Sequence, residues 1–264
     1  MTITAAFFRT GNAVGEMRRS RFVQTHHHSH AMGGGTVNTT INVSERRKAQ
    51  FIATGLTAAA DMTTVNRLME CATFVNVAPP ELLFAEGDVA RYFYSVVTGF
   101  VRLFRQNNEG READIRICGP GDTFGDDLVF GGDACRYSAQ AAENATLVCY
   151  DLAKVRDLAN NDDGSLARVL AISLSTQLRE AVDCVADDRL NTALQRVAHY
   201  LLDQCPEDAE PAAFRLPCRK SLLAGKLGLA PEALSRAFGA LKTLGVNVHG
   251  RTIEITDIEA LKRL

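Results

Sequence analysis

The stretch Leu222-Leu223-Ala224-Gly225-Lys226-Leu227-Gly228-Leu229-Ala230-Pro231-Glu232-Ala233-Leu234-Ser235-Arg236-Ala237 decides how the C-terminal part of this chain folds. It reads as a short helix, a glycine turn and a second helix. Leu222, Leu223 and Leu227 can face one core, and Leu234, Phe238 and Leu241 follow at helical spacing. Gly228 stands where a sharp helix-to-helix turn needs a residue free to adopt positive φ, and Pro231 suits the first turn of a new helix. Glu232, Ser235 and Arg236 then fall about one turn apart on the outer side of the second helix. A carboxylate, a hydroxyl and a guanidinium at this spacing match what a helix needs to read base edges in a major groove. A polar-faced helical hairpin with no partner shows the same pattern, so the flanking sequence has to decide.

The flanks favour DNA. Gly245-Val246-Asn247-Val248, His249-Gly250-Arg251 and Thr252-Ile253-Glu254-Ile255 read as two short strands about a tight turn, a wing with Arg251 near its tip. Between Ala213 and Ile253 the basic residues are Arg215, Arg219, Lys220, Lys226, Arg236, Lys242 and Arg251, against the single acid Glu232. That local charge of +6 sits in a chain whose net charge is −2. Phosphate neutralisation supplies much of the affinity for DNA, so a basic patch around one exposed helix on an acidic protein points to a duplex. Arg219, Lys220, Glu232, Ser235, Arg236 and Arg251 are the predicted DNA contacts.

At 264 residues the chain has room for two modest domains, each with a core. No apolar run approaches the ~20 residues that span a bilayer, and the N-terminus lacks the pattern of a secretory signal. Seven cysteines, an odd number at scattered spacings, argue against a disulfide framework. The expected location is the cytoplasm, with no membrane partner. Residues 1–45 carry Arg9, Arg18, Arg19 and Arg21, then His26-His27-His28, His30 and Gly33-Gly34-Gly35, without apolar period. This segment reads as a disordered tail, and Met17 and Met32 are alternative starts. Neither cysteine nor carboxylate stands beside the histidines to complete a shell, so no metal site is assigned.

From about Val75 to Leu152 short β segments alternate with turns such as Glu86-Gly87-Asp88, Asn107-Asn108-Glu109-Gly110 and Gly131-Gly132-Asp133. Strand-like runs at Tyr92 to Val97, Phe100 to Phe104, Asp114 to Cys118 and Ala145 to Tyr150 predict an antiparallel barrel or sandwich. Residues from about Ser165 to Val185 then predict a long helix. Leu174, Leu178, Ala181 and Val185 step by four, three and four, an a/d seam that suggests pairing with a twin. The hinge into the C-terminal unit falls at Leu190, after Asp188 and Arg189. The fold class is therefore α+β: an N-terminal antiparallel β-roll over residues 46–160, a dimerisation helix over 161–189 and a winged helix-turn-helix over 190–264.

That order of elements resembles the CRP/FNR family of bacterial transcription regulators, over about residues 70 to 264. Phe84-Ala85-Glu86-Gly87-Asp88, Val97-Thr98-Gly99-Phe100-Val101 and Gly119-Pro120-Gly121-Asp122-Thr123-Phe124-Gly125 are similar to the family's β-roll landmarks. His249-Gly250-Arg251-Thr252-Ile253 looks like its wing. Glu232, Ser235 and Arg236 resemble the recognition helix of the FNR branch more than that of the cyclic-AMP receptor, which has an arginine at Pro231 and a glycine at Ser235. The resemblance implies a jelly roll like that of cyclic-nucleotide-binding domains, a homodimer, RNA polymerase as partner and a TTGAT-like inverted repeat. The chemistry agrees: Arg236 can fork onto guanine O6 and N7, Glu232 can accept from cytosine N4, and Ser235 can meet a thymine or adenine edge.

The resemblance offers three effectors. The cyclic-nucleotide positions are Gly125, Asp126, Arg136 and Tyr137, where the receptor branch has Gly-Glu and Arg-Ser pairs. The shorter carboxylate, the bulky phenol and Glu180 on the long helix argue against cyclic AMP. Arg136 is then expected to be an ion-pair or barrel-rim residue. An iron–sulfur cluster needs four thiolates, and no cysteine precedes Cys71, so Cys149 reads as a buried small hydrophobe. Haem with nitric-oxide sensing is the favoured signal, by likeness of Tyr137-Ser138-Ala139-Gln140-Ala141 and of Gln195 to Leu202 to nitric-oxide-responsive regulators. No ligand residue is named for it, since outside the tail only His199 and His249 remain. Two other classes fare worse. A β-roll acting on a protein partner leaves the basic winged helix unexplained. A cupin-like enzyme needs barrel histidines, and residues 72–155 have none, so the protein is not expected to be an enzyme.

Overall fold

The computed structural model describes residues 55–58, 60–205 and 211–264, so the N-terminal tail and its histidines lie outside the described residues. Eight strands form the first unit: β1 (Ala72–Val77), β2 (Leu82–Phe84), β3 (Tyr92–Thr98), β4 (Val101–Gln106), β5 (Glu112–Cys118), β6 (Thr123–Phe124), β7 (Ser138–Ala141) and β8 (Ala145–Asp151). They make two four-stranded antiparallel sheets, ordered β1-β8-β3-β6 and β2-β7-β4-β5. The four strand-like runs of the sequence are β3, β4, β5 and β8. Of the other four, β2, β6 and β7 have only three, two and four residues, so tertiary pairing rather than alternation makes them strands, while the six-residue β1 pairs without a break along β8.

Side chains fill the roll. The rings of Phe84 and Tyr94 lie 6.0 Å apart, those of Tyr94 and Phe124 5.2 Å, and Tyr137 closes the row 5.9 Å from Phe84. Around them pack Val96, Val101, Leu103, Cys118, Leu147 and Cys149. A small roll packed with aromatics leaves no open lumen.

Three helices follow or flank it. Asp61 caps α1 (Met62–Glu70) and Asp151 caps α2 (Leu152–Asn160), each accepting a bond from a backbone N–H three residues on. Helix α3 (Ser165–Leu190) buries Leu166, Val169 and Leu170 against Leu68, Phe93, Tyr150 and Leu152. Beyond Leu170 none of its residues is buried, so most of this 26-residue helix depends on something else for cover. It also runs five residues past the Val185 expected from the seam.

The second unit starts with α4 (Ala193–Asp203), opened by a reciprocal capping box between Thr192 and Gln195. Then come β9 (Ala212–Arg215), α5 (Lys220–Lys226), α6 (Pro231–Leu241), β10 (Val246–His249), β11 (Thr252–Ile255) and α7 (Ile258–Lys262). The wing pairs as expected about Gly250, and β9 adds a third strand on the far side of β11. Val197, Leu201, Leu223, Leu234, Phe238, Leu241 and Ile253 form the core. Phe100, Ile117 and Ala142 of the roll belong to the same buried cluster, so α5 docks onto β5. Gly225 permits the approach: a Cβ there would stand 2.6 Å from Asp114 Oδ2. Among the described residues no helix is long and apolar enough to cross a membrane.

Candidate DNA-reading surface and effector cavity

Leu234, Ala237, Phe238 and Leu241 bury the inner side of α6, and that leaves Glu232, Ser235 and Arg236 exposed together on its N-terminal half. None of the three makes an ion pair or side-chain hydrogen bond with another described residue, so their polar ends are free for base edges. Pro231 occupies the first helical position, and Gly228 takes φ +60° in the turn, both as the sequence requires. Lys220 remains exposed, its Nζ 5.5 Å from the Phe238 ring, a position from which it can reach a phosphate.

Two predicted contacts are placed differently. Arg251 turns inward: Nε and Nη2 donate to the Leu216 carbonyl at 3.0 and 2.8 Å, and Nη2 also donates to the Pro217 carbonyl. Arg219 donates to the Ala142 carbonyl, and its Nε lies 3.3 Å from Glu143 Oε1 of the roll. Both guanidiniums satisfy protein acceptors that the sequence did not reveal, because those acceptors arrive from distant segments. Both side chains thus also tie segments of the protein together, and the Arg219 side chain stays 56% exposed. Lys220→Ala is expected to reduce the salt dependence of DNA affinity by about one counterion per subunit. Arg251→Ala should leave that slope nearly unchanged and lower the melting temperature instead. Salt titrations and thermal melts of both variants check this.

The expected effector slot is closed by the protein's own side chains. Asp126 is fully buried and accepts from Ser173 Oγ at 2.7 Å and from Gln177 Nε2 at 3.0 and 2.9 Å. The Gly125 N–H donates to the Tyr137 hydroxyl at 3.1 Å. One helical turn beyond Gln177, Glu180 accepts from Arg116 at 2.8 Å, and Arg116 also reaches Asp122 and the Thr123 carbonyl. These bonds latch α3 to the roll beside Gly125 and Asp126, two of the positions that the resemblance assigns to an effector. Arg136 is exposed on the rim and makes no ion pair with a described residue. Ser173 and Gln177 went unnoticed in the sequence. Their i, i+4 spacing one turn before Glu180 was the available signal. Asp126→Ala removes the shared acceptor and strands two donors, at an expected cost of ~1–3 kcal/mol. Thermal unfolding measures that loss, and calorimetry with cyclic AMP should register no heat for the intact protein.

Beside the latch lies a cavity of about 500 Å³ between the roll, α3 and α5. Leu103, Ile115, Ile117 and Ala181 form apolar walls, with Arg116, Glu180 and Lys226 at its edges. Gly125, Asp126 and Arg136 do not line it, while Tyr137 does. Its lining contains neither histidine nor methionine, but it does include Tyr137 and Cys184, whose side chains are of types that can hold haem iron. His199 and His249 are exposed on the C-terminal unit, away from it. The geometry singles out no axial ligand, so it gives the favoured haem expectation no specific support. Burial pushes the Cys118 and Cys149 thiols up to about 12, and among the described residues no three metal-ligating side chains cluster. Both thiols are packed in the roll's hydrophobic core.

On α3 the exposed large apolar residues are Ile172, Leu178, Val182, Val185 and Leu190. Leu178 and Val185 belong to the expected seam, and Leu174 is half-buried beside them. Ala181 is exposed and also borders the cavity, and Val182 adds to the open stripe.

A ligand-type β-roll joined by a long helix to a basic winged helix defines a class, the two-unit DNA-binding regulators. Residues 74–162 match the cyclic nucleotide-binding domain family, and residues 195–264 match the Crp-like helix-turn-helix domain family. The chain is 31% identical over 190 residues to the cyclic AMP receptor protein of Thermus thermophilus, across 69% of this chain and 83% of that one. It is 28% identical over 188 residues to the nitrogen fixation regulation protein FixK of Rhizobium meliloti, across 70% and 84% respectively. The structure of FixK2 from Bradyrhizobium japonicum is similar with a TM-score of 0.62 at 29% identity, covering 73% of this chain and 96% of that one. The chain belongs to the CRP/FNR family and is a DNA-binding transcription regulator of that type.

Proposed function

We propose that this regulator binds as a homodimer to a TTGAT-like inverted repeat, and that the setting of its two recognition helices is controlled from the cavity between roll, α3 and α5. The observation that carries the reading is the pairing of two exposed features. One is the uncovered apolar stripe of α3, and the other is the unengaged Glu232, Ser235 and Arg236 trio on α6. A parallel pair of α3 helices buries the former and sets two copies of the latter about one DNA turn apart. RNA polymerase is the partner that family membership implies.

The controlling signal is a population shift between settings of the C-terminal units on the shared helix pair. The cavity is of a size for a small organic ligand. With the nucleotide slot latched shut, an amphipathic molecule that rests on Leu103, Ile115 and Ile117 and reaches Lys226 suits it better than a cyclic nucleotide. Sedimentation of the purified protein, with gel shifts on an inverted repeat and on a single half-site, tests the core of the reading. A dimer that prefers the repeat supports it. A monomer that binds both duplexes equally would overturn it.

A further inference from the structure

Three segments that are far apart in function converge on one guanidinium. Arg196, on the first turn of α4, donates through Nη1 to Asp188 Oδ1 at 2.8 Å and to the Leu227 carbonyl at 3.0 Å. Asp188 lies in the last turn of α3, the helix that carries the apolar stripe. Leu227 caps the C-terminus of α5 and enters the turn that leads to α6. The side chain of Arg196 is only 13% exposed, whereas that of Asp188 is 64% exposed. The arginine is therefore held inside the second unit and reaches outward to the helix before it.

The chemistry explains why arginine serves here. The end of a short helix leaves carbonyls without intrahelical partners, and a cation near that end is favoured. One guanidinium nitrogen can offer one hydrogen to such a carbonyl and the other to a carboxylate, in a fixed plane. Its Nε is buried and finds no acceptor, so the group is placed for the two Nη1 bonds at the expense of a third. Gly228, at φ +60°, makes the turn beside the strut, where a Cβ would only touch Arg196 Nη1 at 3.4 Å.

We infer that Arg196 is a positioning residue for DNA recognition, the strut through which the end of α3 sets the angle of the recognition helix α6. It touches no DNA itself. It fixes the turn between α5 and α6 relative to α3, and hence the separation of two recognition helices across a dimer. This inference rests on the proposed dimeric reading of an inverted repeat. Its consequence is specific: losing the strut should blur the choice between half-site spacings, and should hardly alter the reading of a single half-site.

The test uses the full chain with Arg196→Met, Arg196→Lys and Asp188→Asn. Probes are inverted repeats whose central spacer is lengthened one base pair at a time, and one isolated half-site. The wild-type protein is expected to prefer one spacing. Arg196→Met should lose that preference by about tenfold, through weaker binding at the best spacing, with half-site affinity nearly unchanged. Asp188→Asn, which alters only an exposed carboxylate, should move in the same direction, and Arg196→Lys should restore part of the preference. Equal weakening on every probe would mean simple destabilisation and would overturn the inference, as would retention of wild-type spacing preference in both Arg196→Met and Asp188→Asn. Should Arg196→Met fail to fold, Asp188→Asn alone decides. A wild-type protein without any preference for repeats would sink the dimeric reading itself, a result separable from the others.

Discussion

Leu178→Glu should convert the protein from dimer to monomer and lower its affinity for an inverted repeat by on the order of a thousandfold, the low end of the gap between specific and non-specific binding. Leu178 is 66% exposed, Val182 58% and Val185 50%, and they lie on one side of a helix whose first turns alone are buried. Apolar residues at this spacing are stable on a free helix only when a neighbour covers them. A glutamate at Leu178 would bring two like charges into an apolar seam, at a site where desolvation is costly. In the monomer the same side chain faces solvent, so the fold should survive. Sedimentation and circular dichroism separate the two effects. A monomeric wild type, or a variant that stays dimeric and binds normally, would remove this role from the stripe.

Arg236→Ala should abolish discrimination at the guanine of each half-site, with a cost of ~1–3 kcal/mol per half-site. The argument rests on geometry. Arg236 stands exposed beside Glu232 and Ser235 on the outer face of α6, while Ala237 and Phe238 anchor the inner face. Unlike Arg219 and Arg251, it has no protein acceptor among the described residues, so its five donors are available to a base. Competition with repeats substituted at the guanine measures the effect. The variant should bind cognate and substituted repeats alike, with the salt dependence close to that of the wild type. An equal loss on specific and random DNA would instead make Arg236 a phosphate contact.

The exposed stripe of α3 and the shared exposure of Glu232, Ser235 and Arg236 on α6 were legible because helical periodicity needs only local residues. The same holds for the capping and turn residues Pro231, Gly228 and Gly250, whose backbone demands are set within a few positions. Strands β3, β4, β5 and β8 were legible for the same reason. Strands β2 and β6 were not, since three or two residues carry no period and exist as strands only through their neighbours.

What one arginine does could not be read from its place in the chain. Arg219, Arg236 and Arg251 contribute alike to the +6 of the C-terminal segment. Their roles diverge because Ala142, Leu216 and Pro217 bring carbonyls to two of them and leave the third to solvent. The same is true of Asp126, whose carboxylate is engaged by Ser173 and Gln177 from a helix nearly fifty residues away. The sequence by itself determined the order of units, the helix-turn-helix and the exposed apolar stripe of α3, since each is a local pattern. Only the tertiary structure decided which polar groups are already satisfied. A hydrogen bond forms between whichever donor and acceptor the fold brings within about 3 Å, whatever their separation along the chain.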